Sequence, residues 1–298
     1  MNNSKVLRLF IRGGLGNQLF QIFALEDLAL SWQRYPIVNV SWYDLEFLKD
    51  KAISPRKYEL QEFSTFGHIP IESAHDFGKI RLLRENLASR SSSLLAPALG
   101  YQIEFSKDYL GIIKWRRNVD LMGYFIKGNR LRHRRQEIST RLNNFKSKDW
   151  LNHPDFQDFK SSKVLSIHVR LSDYTNYPEI FGVTNLNYFQ RGIELLKANG
   201  AETSNIWVFT DDCTKVKEFL GDAFSVKKIM CPCSPLTSVQ QLLLMSRSNW
   251  LVCSNSTFSW WAGFLSNPLE TSVVFPSEYM RGISSKEYGL EIAGWHYL

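Results

Sequence analysis

Cysteine is scarce. Cys213, Cys231, Cys233 and Cys253 are the only four in 298 residues, too few for the disulfide framework that a loop-rich secreted scaffold needs. Cys231-Pro232-Cys233 lacks the two-residue spacer of most zinc knuckles, so all four are expected to be reduced structural thiols. No apolar run approaches the roughly 18 to 20 residues that cross a bilayer, and the stretch Asn249 to Leu265 is interrupted by Asn and Ser. Met1 to Phe10 carries Lys5 and Arg8 without a long apolar segment closed by small residues, unlike a secretory leader. A cytoplasmic chain is expected. Nowhere does an Asp-x-Asp pair occur, which removes a familiar carboxylate site for a divalent cation. No metal and no cofactor are expected. Glycine and proline, at 17 and 10 residues, are too few for a low-complexity chain, and there is no internal repeat; Ser89 to Ser93 is read as a loop.

With 44% hydrophobic and 14% aromatic residues, the chain has ample material for a buried core. Its length suits two domains of roughly 150 residues. The formal charge of +7 points to an anionic partner: a nucleotide diphosphate, a membrane face or nucleic acid. The densest basic run, Lys127 to Arg135, is either a solvated helix face or a peripheral contact for acidic phospholipid or a lipid-pyrophosphate acceptor. No recognition helix, zinc finger or RNP pattern is present, which disfavours a nucleic-acid module.

Periodicity gives the fold class. Val6 to Ile11 is an apolar run fit for a buried strand, followed by the turn Gly13-Gly14-Leu15-Gly16 and by Phe20, Phe23, Ala24 and Leu28 at helical spacing. From Val164 the alternation repeats: strands at 164–169, 206–209, 224–230, 250–253 and 272–275 are separated by helices at 188–197, 214–220, 238–245 and 256–265. This is an α/β, doubly wound, parallel pattern. A polar connection over 146–163 places the domain boundary near residue 155, giving domains 1–155 and 156–298. The region Asp44 to Arg117 has no assignable elements.

Three stretches have the chemistry of an anion site. In Arg12-Gly13-Gly14-Leu15-Gly16-Asn17-Gln18, glycines let backbone N–H groups approach a ligand beside a helix N-terminus. Leu19 stands where the third glycine of a dinucleotide fingerprint belongs, which disfavours a nicotinamide-dependent oxidoreductase. Period two puts His168 and Arg170 on one side of a strand at its carboxyl end; Arg170 can grip phosphate with its guanidinium, and Asp173 can orient Arg170 or His168. Finally, Ser254-Asn255-Ser256-Thr257-Phe258-Ser259 has more hydroxyls than a helix cap requires and fits a second diphosphate cradle. Trp260 and Trp261, adjacent on a helix, are read as core packing. Asp211 and Asp212 end a further strand at the same sheet edge and can accept from a guanine or a ribose hydroxyl. Without an Asp-x-Asp pair, a diphosphate here is neutralised by Arg170, helix N-termini and backbone amides.

In order and combination, Gly13 to Gln21, His168-Val169-Arg170-x-x-Asp173-Tyr174, Phe209-Thr210-Asp211-Asp212 and Ser254 to Trp261 resemble the motifs of the α1,2-fucosyltransferase family, glycosyltransferase family 11. Gly123-Tyr124-Phe125 resembles a shorter landmark of that family. The resemblance implies a GT-B-type glycosyltransferase with two Rossmann-like domains facing a cleft. Such an enzyme is inverting and metal-independent, and moves L-fucose from GDP-β-L-fucose to a galactose-type hydroxyl, O2, in a glycan. The implied acceptor is a lipid-linked intermediate, a polysaccharide repeat unit or a lactose-like oligosaccharide. Carried over by position, Arg170 binds the β-phosphate, while His168 and Asp211 or Asp212 contact the nucleoside. Ser254, Asn255, Ser256, Thr257 and Phe258 line the diphosphate, and Gly14, Gly16 and Asn17 approach from the other domain. Arg170, His168 and Asp173 form the catalytic group. Leu171 and Ser172 replace the Arg-Gly that often follows the family's arginine. Fucosyltransferases of α1,6 or protein-O linkage share a looser version of these motifs and remain the alternative.

Overall fold

The computed structural model describes residues 5–44, 56–73, 101–103, 118–144, 148–182 and 184–298, without the side chains of 101–103 and 173. Much of Asp44 to Arg117, and the Ser89 to Ser93 loop, lie outside the described residues. The chain forms two compact units. Among the described residues, the first runs to Ile126 apart from Glu62–Thr65, which group with Lys127–Leu298 in the second. The boundary therefore precedes the expected position near residue 155. Lys127 to Lys163 belongs with the second unit because its helices pack there.

In the first unit, β1 (Val6–Phe10) leads into helix α1 (Leu15–Trp32), then β2 (Tyr35–Asn39), β3 (Ile71–Glu72), β4 (Tyr101–Ile103) and β5 (Asn118–Met122). The strand order is β3-β2-β1-β5-β4, all pairs parallel. Alternation decides the faces of β1: Leu7 and Leu9 are fully buried, while Arg8 reaches across β2 to Glu72 of β3 at 2.7 Å and to Asp120 of adjacent β5 at 2.8 Å. The chain leaves β1 toward β2 on one side and returns to β5 on the other, so the strand order reverses between β1 and β5. That reversal is the position where open α/β sheets leave a crevice for ligands.

After a short helical turn, Gly128–Leu131, the second unit has α2 (Arg135–Asn143) and α3 (Pro154–Lys160). Its sheet strands are β6 (Leu165–Val169), β7 (Ile206–Thr210), β8 (Val226–Met230), β9 (Trp250–Val252) and β10 (Ser272–Phe275). Between them run α4 (Ser172–Asn176), α5 (Pro178–Phe181), α6 (Leu186–Ala198), α7 (Lys215–Leu220), α8 (Ser238–Met245) and α9 (Thr257–Leu265). A hairpin of β11 (Glu278–Met280) and β12 (Ile283–Ser284) follows, and β13 (His296–Tyr297) closes the sheet. The order β13-β10-β9-β6-β7-β8 is parallel throughout and reverses between β6 and β9. Each expected strand and helix of this half is present within a residue or two.

Strand β6 is buried on both faces, as a central parallel strand should be. Leu165, Ile167, Val169 and Leu171 join Val208, Val252 and the α6 residues Phe189, Ile193 and Leu196 in one apolar cluster. Gly192 lets α6 lie close to the sheet, since a Cβ there would meet Val252 Cγ1 at 2.9 Å. Trp260 and Trp261 are fully buried, as core packing requires; Trp260 stacks on Phe264 at 4.8 Å and donates to the Leu290 carbonyl at 2.8 Å.

The basic run is largely consumed within the second unit. Arg135 donates to the carbonyls of Phe264, Gly263 and Ser266 at 2.7, 3.0 and 3.1 Å, closing the carbonyl end of α9 with a cation where the helix dipole favours one. Arg134 grips Glu137 with two hydrogen bonds of 2.8 Å, and Arg132 donates to the Glu291 carbonyl. These contacts weaken the reading of the run as a phospholipid contact. No described helix is long and apolar enough to cross a membrane.

Arg135→Ala is expected to cost about 2 to 3 kcal/mol, because three carbonyls lose a charged donor. Urea unfolding checks this, and an unchanged midpoint would remove Arg135 from its anchoring role.

Candidate active site

The polar face of β6 carries Ser166, His168 and, just beyond its end, Arg170, each paired with a group from elsewhere in the chain. Ser166 Oγ accepts from Ser248 Oγ at 2.7 Å, His168 Nδ1 lies 2.7 Å from Ser254 Oγ, and Arg170 Nε lies 3.1 Å from Asp211 Oδ2. The pairing register explains the last contact. Val169 sits opposite Thr210, so the next residue on each chain, Arg170 and Asp211, emerge side by side.

Asp211 is held from three directions. The Leu171 N–H donates to it at 2.9 Å, the Ser172 N–H at 3.3 and 3.4 Å, and the Ser172 hydroxyl also donates to its Oδ2. Burial would raise its pKa, but Arg170, the Leu171 amide and the Ser172 hydroxyl outweigh that and hold the carboxyl below its ordinary value. Asp211 thus orients Arg170, a contact the sequence reading did not foresee. Asp173 lies in α4, and its side chain is outside the described residues. Asp212 accepts from the N–H groups of Thr214 and Lys215 at 3.1 and 2.9 Å, capping the start of α7. Asp212 Oδ2 lies 3.9 Å from Lys215 Nζ. Leu171 is in the apolar cluster and Ser172 is on Asp211, so both departures from the usual motif have places in the fold.

His168 is almost fully buried, and its ring lies against Phe258 with centroids 5.5 Å apart. Burial pushes its pKa well down, Arg170 pushes the same way, and Asp211 opposes without reversing the result. The ring is therefore neutral at physiological pH.

Across the β6–β9 reversal, the chain leaving β9 supplies the hydroxyl-rich stretch. Much of it is used internally: Ser256 Oγ accepts from the Phe258 N–H at 3.3 Å as the cap of α9, and Ser259 Oγ reaches the carbonyls of Ser254 and Ser256 at 3.1 and 3.2 Å. Tyr174 and Tyr188 donate to the carbonyls of Asn255 and Cys253 at 2.8 and 2.7 Å. Asn255 Nδ2 holds the Phe181 and Tyr279 carbonyls at 2.7 and 3.1 Å, while its buried Oδ1 has no hydrogen-bond partner among the described residues. The hydroxyl-rich stretch is thus a loop held by its own hydrogen bonds. What it offers an anion is the N-terminus of α9, with Ser256 and Thr257 at its first turn.

In the first unit the glycine loop follows β1 and Gly123-Tyr124-Phe125 follows β5, so these two stretches also meet at a sheet reversal. The Arg12 guanidinium lies 4.5 Å over the Tyr124 ring, and its buried Nε has no hydrogen-bond partner among the described residues. Gly13 has φ +79°, and a Cβ there would meet Asn17 Nδ2 at 2.8 Å. Two glutamines lock the loop. Gln18 Nε2 donates to the carbonyls of Gly13 and Lys57 at 3.0 and 2.7 Å, and Gln21 both accepts from the Arg12 N–H at 3.1 Å and donates to its carbonyl at 2.7 Å. Gly14 is the N-cap of α1, with Gly16 and Asn17 in its first turn.

The model for glycosyl transferase family 11 matches residues 155–298. Residues 155–298 belong to that family. The family 11 match takes in both stretches that meet at the β6–β9 reversal. Over nearly the whole chain there is similarity to two Escherichia coli proteins. One is an alpha-1,2-colitosyltransferase, 24% identical over 271 residues, 86% of each chain. The other is the O-antigen biosynthesis glycosyltransferase WbnK, 23% identical over 296 residues, 91% of this chain and 94% of that one. Among solved structures, a mutant Arabidopsis thaliana FUT1 in complex with GDP aligns with TM-score 0.49 and 13% identity over 91% of this chain and 70% of that one. The fucosyltransferase NodZ from Bradyrhizobium aligns with TM-score 0.49 and 12% identity, over 88% and 94%.

Sequence reasoning about this family 11 region missed the Asp211 clamp and the tyrosine struts. The clamp was within reach: consecutive strands pair more often than not, and placing β6 beside β7 in register puts Arg170 next to Asp211. Nothing in the sequence marks Tyr174 or Tyr188 as loop supports.

A neutral native His168 makes stability depend on pH with a definite sign. The unfolded histidine takes up a proton below about pH 6.5 and the native one does not, so the stability present above that pH is lost as pH falls toward the depressed native pKa. Asp211, also depressed, adds the same sign below the ordinary carboxylate range. Between pH 6 and pH 4 His168 should contribute a slope of up to about 1.4 kcal/mol per pH unit, and His168→Gln should flatten it. Equal slopes in urea unfolding of both proteins would contradict the neutral assignment.

Proposed function

We propose that the chain transfers L-fucose from GDP-β-L-fucose to O2 of a galactose-type residue in a glycan, with inversion and without a catalytic metal. The observation that carries this reading is the meeting of the Arg170–Asp211 pair with the N-terminus of α9 at the reversal between β6 and β9. A guanidinium held by a buried carboxylate and a helix N-terminus together suit a diphosphate whose negative charge grows as it leaves.

In the step proposed, the bond between the sugar's anomeric carbon and the β-phosphate oxygen breaks with oxocarbenium character. Both electrons of that bond depart with GDP. The acceptor hydroxyl attacks from the opposite face, forms the new glycosidic bond and gives up its proton to solvent or to a base that the described residues do not single out. Arg170 stabilises the leaving diphosphate, and Asp211 fixes the guanidinium's orientation so that little reorganisation is needed during the step. A neutral His168, bonded to Ser254, suits a binding and positioning group rather than a cationic phosphate ligand. Asp173 remains proposed beside Arg170, and Gly14, Gly16 and Asn17 are proposed on the donor or acceptor from the first unit. The acceptor is proposed to be a repeat unit of a surface polysaccharide, free or lipid-linked, which the O-antigen glycosyltransferase relative supports.

A second donor is favoured by the colitosyltransferase relative: colitose is fucose without its 3-hydroxyl, and the diphosphate chemistry is the same. Supplying the nucleotide-activated forms of both sugars with a galactose-terminated glycan, in buffer free of manganese and magnesium, separates the readings. GDP release and an α1,2-fucoside by NMR are expected. A strict requirement for added Mn²⁺, or transfer of colitose alone, would overturn the proposal.

Arg170→Ala should lower kcat/KM by about 100- to 1000-fold, the range for losing one preorganised charge contact to the transition state. Asp211→Asn should lower kcat more than it raises KM, because it disturbs orientation while leaving the cation. Near-normal turnover in Arg170→Ala would exclude the assigned role.

A further inference from the structure

Cys213, Cys231 and Cys233 come from two different loops and converge. Cys213 follows β7 and the other two follow β8, yet their sulfur atoms all lie within 4.8 Å of one another. The Cys213 and Cys233 sulfurs are 3.4 Å apart, and those of Cys231 and Cys233 are 2.7 Å apart. Cys253, fully buried and bonded to the Ser259 carbonyl at 3.5 Å, takes no part.

The one-residue spacer that seemed to disqualify Cys231-Pro232-Cys233 is overcome by a turn. The Ser234 N–H donates to the Cys231 carbonyl at 2.9 Å, and the Cys231 N–H donates to Ser234 Oγ at 2.9 Å; proline suits the second position of such a turn. The bend brings both sulfurs to one side. Buried Gln241 fixes the loop further, donating to the Cys231 and Leu236 carbonyls at 3.0 and 2.8 Å. On the other loop, the Asp212 cap on Thr214 and Lys215 sets the position of Cys213.

From this convergence we infer that Cys213, Cys231 and Cys233 form a structural zinc site, with solvent completing the fourth position beside exposed Cys233. Three thiols this close cannot all ionise unaided, because each thiolate disfavours the next. A thiophilic dication removes that conflict. Zinc at about 2.3 Å from each sulfur spaces the sulfurs about 3.8 Å apart, within the 4.8 Å envelope, so the Cys231–Cys233 pair has to open by about 1 Å and the Cys213–Cys233 pair by about 0.4 Å. The ion would tie the loop after β7, which carries Asp211 and Asp212, to the loop after β8. It is a structural tie, separate from the transfer step, and it does not rest on the fucosyl reading.

The test uses the full chain, reduced and stripped with a chelator, then titrated anaerobically with Co²⁺. One equivalent should give intense thiolate-to-cobalt charge-transfer absorption in the near ultraviolet, abolished by one equivalent of Zn²⁺. Cys233→Ser, at an exposed position and so the mildest to folding, should weaken zinc binding by more than about 100-fold. The Cys213→Ser, Cys231→Ser, Cys233→Ser triple variant should bind none, with folding checked by circular dichroism. The inference fails if no charge-transfer band appears, if Cys233→Ser binds as tightly as the parent, if Cu⁺ is retained in preference to Zn²⁺, or if mass spectrometry of the reduced, zinc-supplied protein finds a disulfide among these cysteines.

Discussion

Parallel pairing gives β6 two neighbours whose connections run in opposite directions, and the rest of the C-terminal unit is arranged around the gap this leaves. The chain moves outward from β6 through β7 and β8, then returns to lay down β9 on the other flank. Arg170 stands just beyond the end of β6 with Asp211 beside it. A buried ion pair adds little net stability, since desolvation offsets most of the attraction. What the pair supplies is a guanidinium in one orientation, reinforced by amides that bind the same carboxylate.

Helix α9 is tied at both ends for the same purpose. At its start, Ser256 caps the helix and tyrosines 174 and 188 brace the backbone before it. At its end, Arg135 closes three carbonyls, and two tryptophans bury its flank. The helix N-terminus is thereby fixed relative to Arg170. Part of the chain's positive charge thus serves internal architecture, and the net charge of +7 overstates the cationic surface left for a partner.

The first unit repeats the principle with different means. Its glycine loop gains rigidity from Gln18 and Gln21, whose amides return to the backbone of the loop itself and to the segment around Lys57. A glycine-rich loop has few side chains of its own to pack, so the restraint has to come from the helix that follows.

The sequence by itself determined the α/β class and the parallel alternation of the C-terminal half, because strand and helix periods are local properties. Family resemblance was equally legible, since ordered motifs are read along the chain. Tertiary structure alone decided which polar groups meet. His168 finds Ser254 across 86 residues, Arg170 finds Asp211 across 41 residues, and three cysteines from two loops share one place. Those pairings follow from strand order and register, which bring distant residues together. A linear pattern cannot state them, because each residue's own neighbours in sequence point to the opposite face of the sheet or into the next turn.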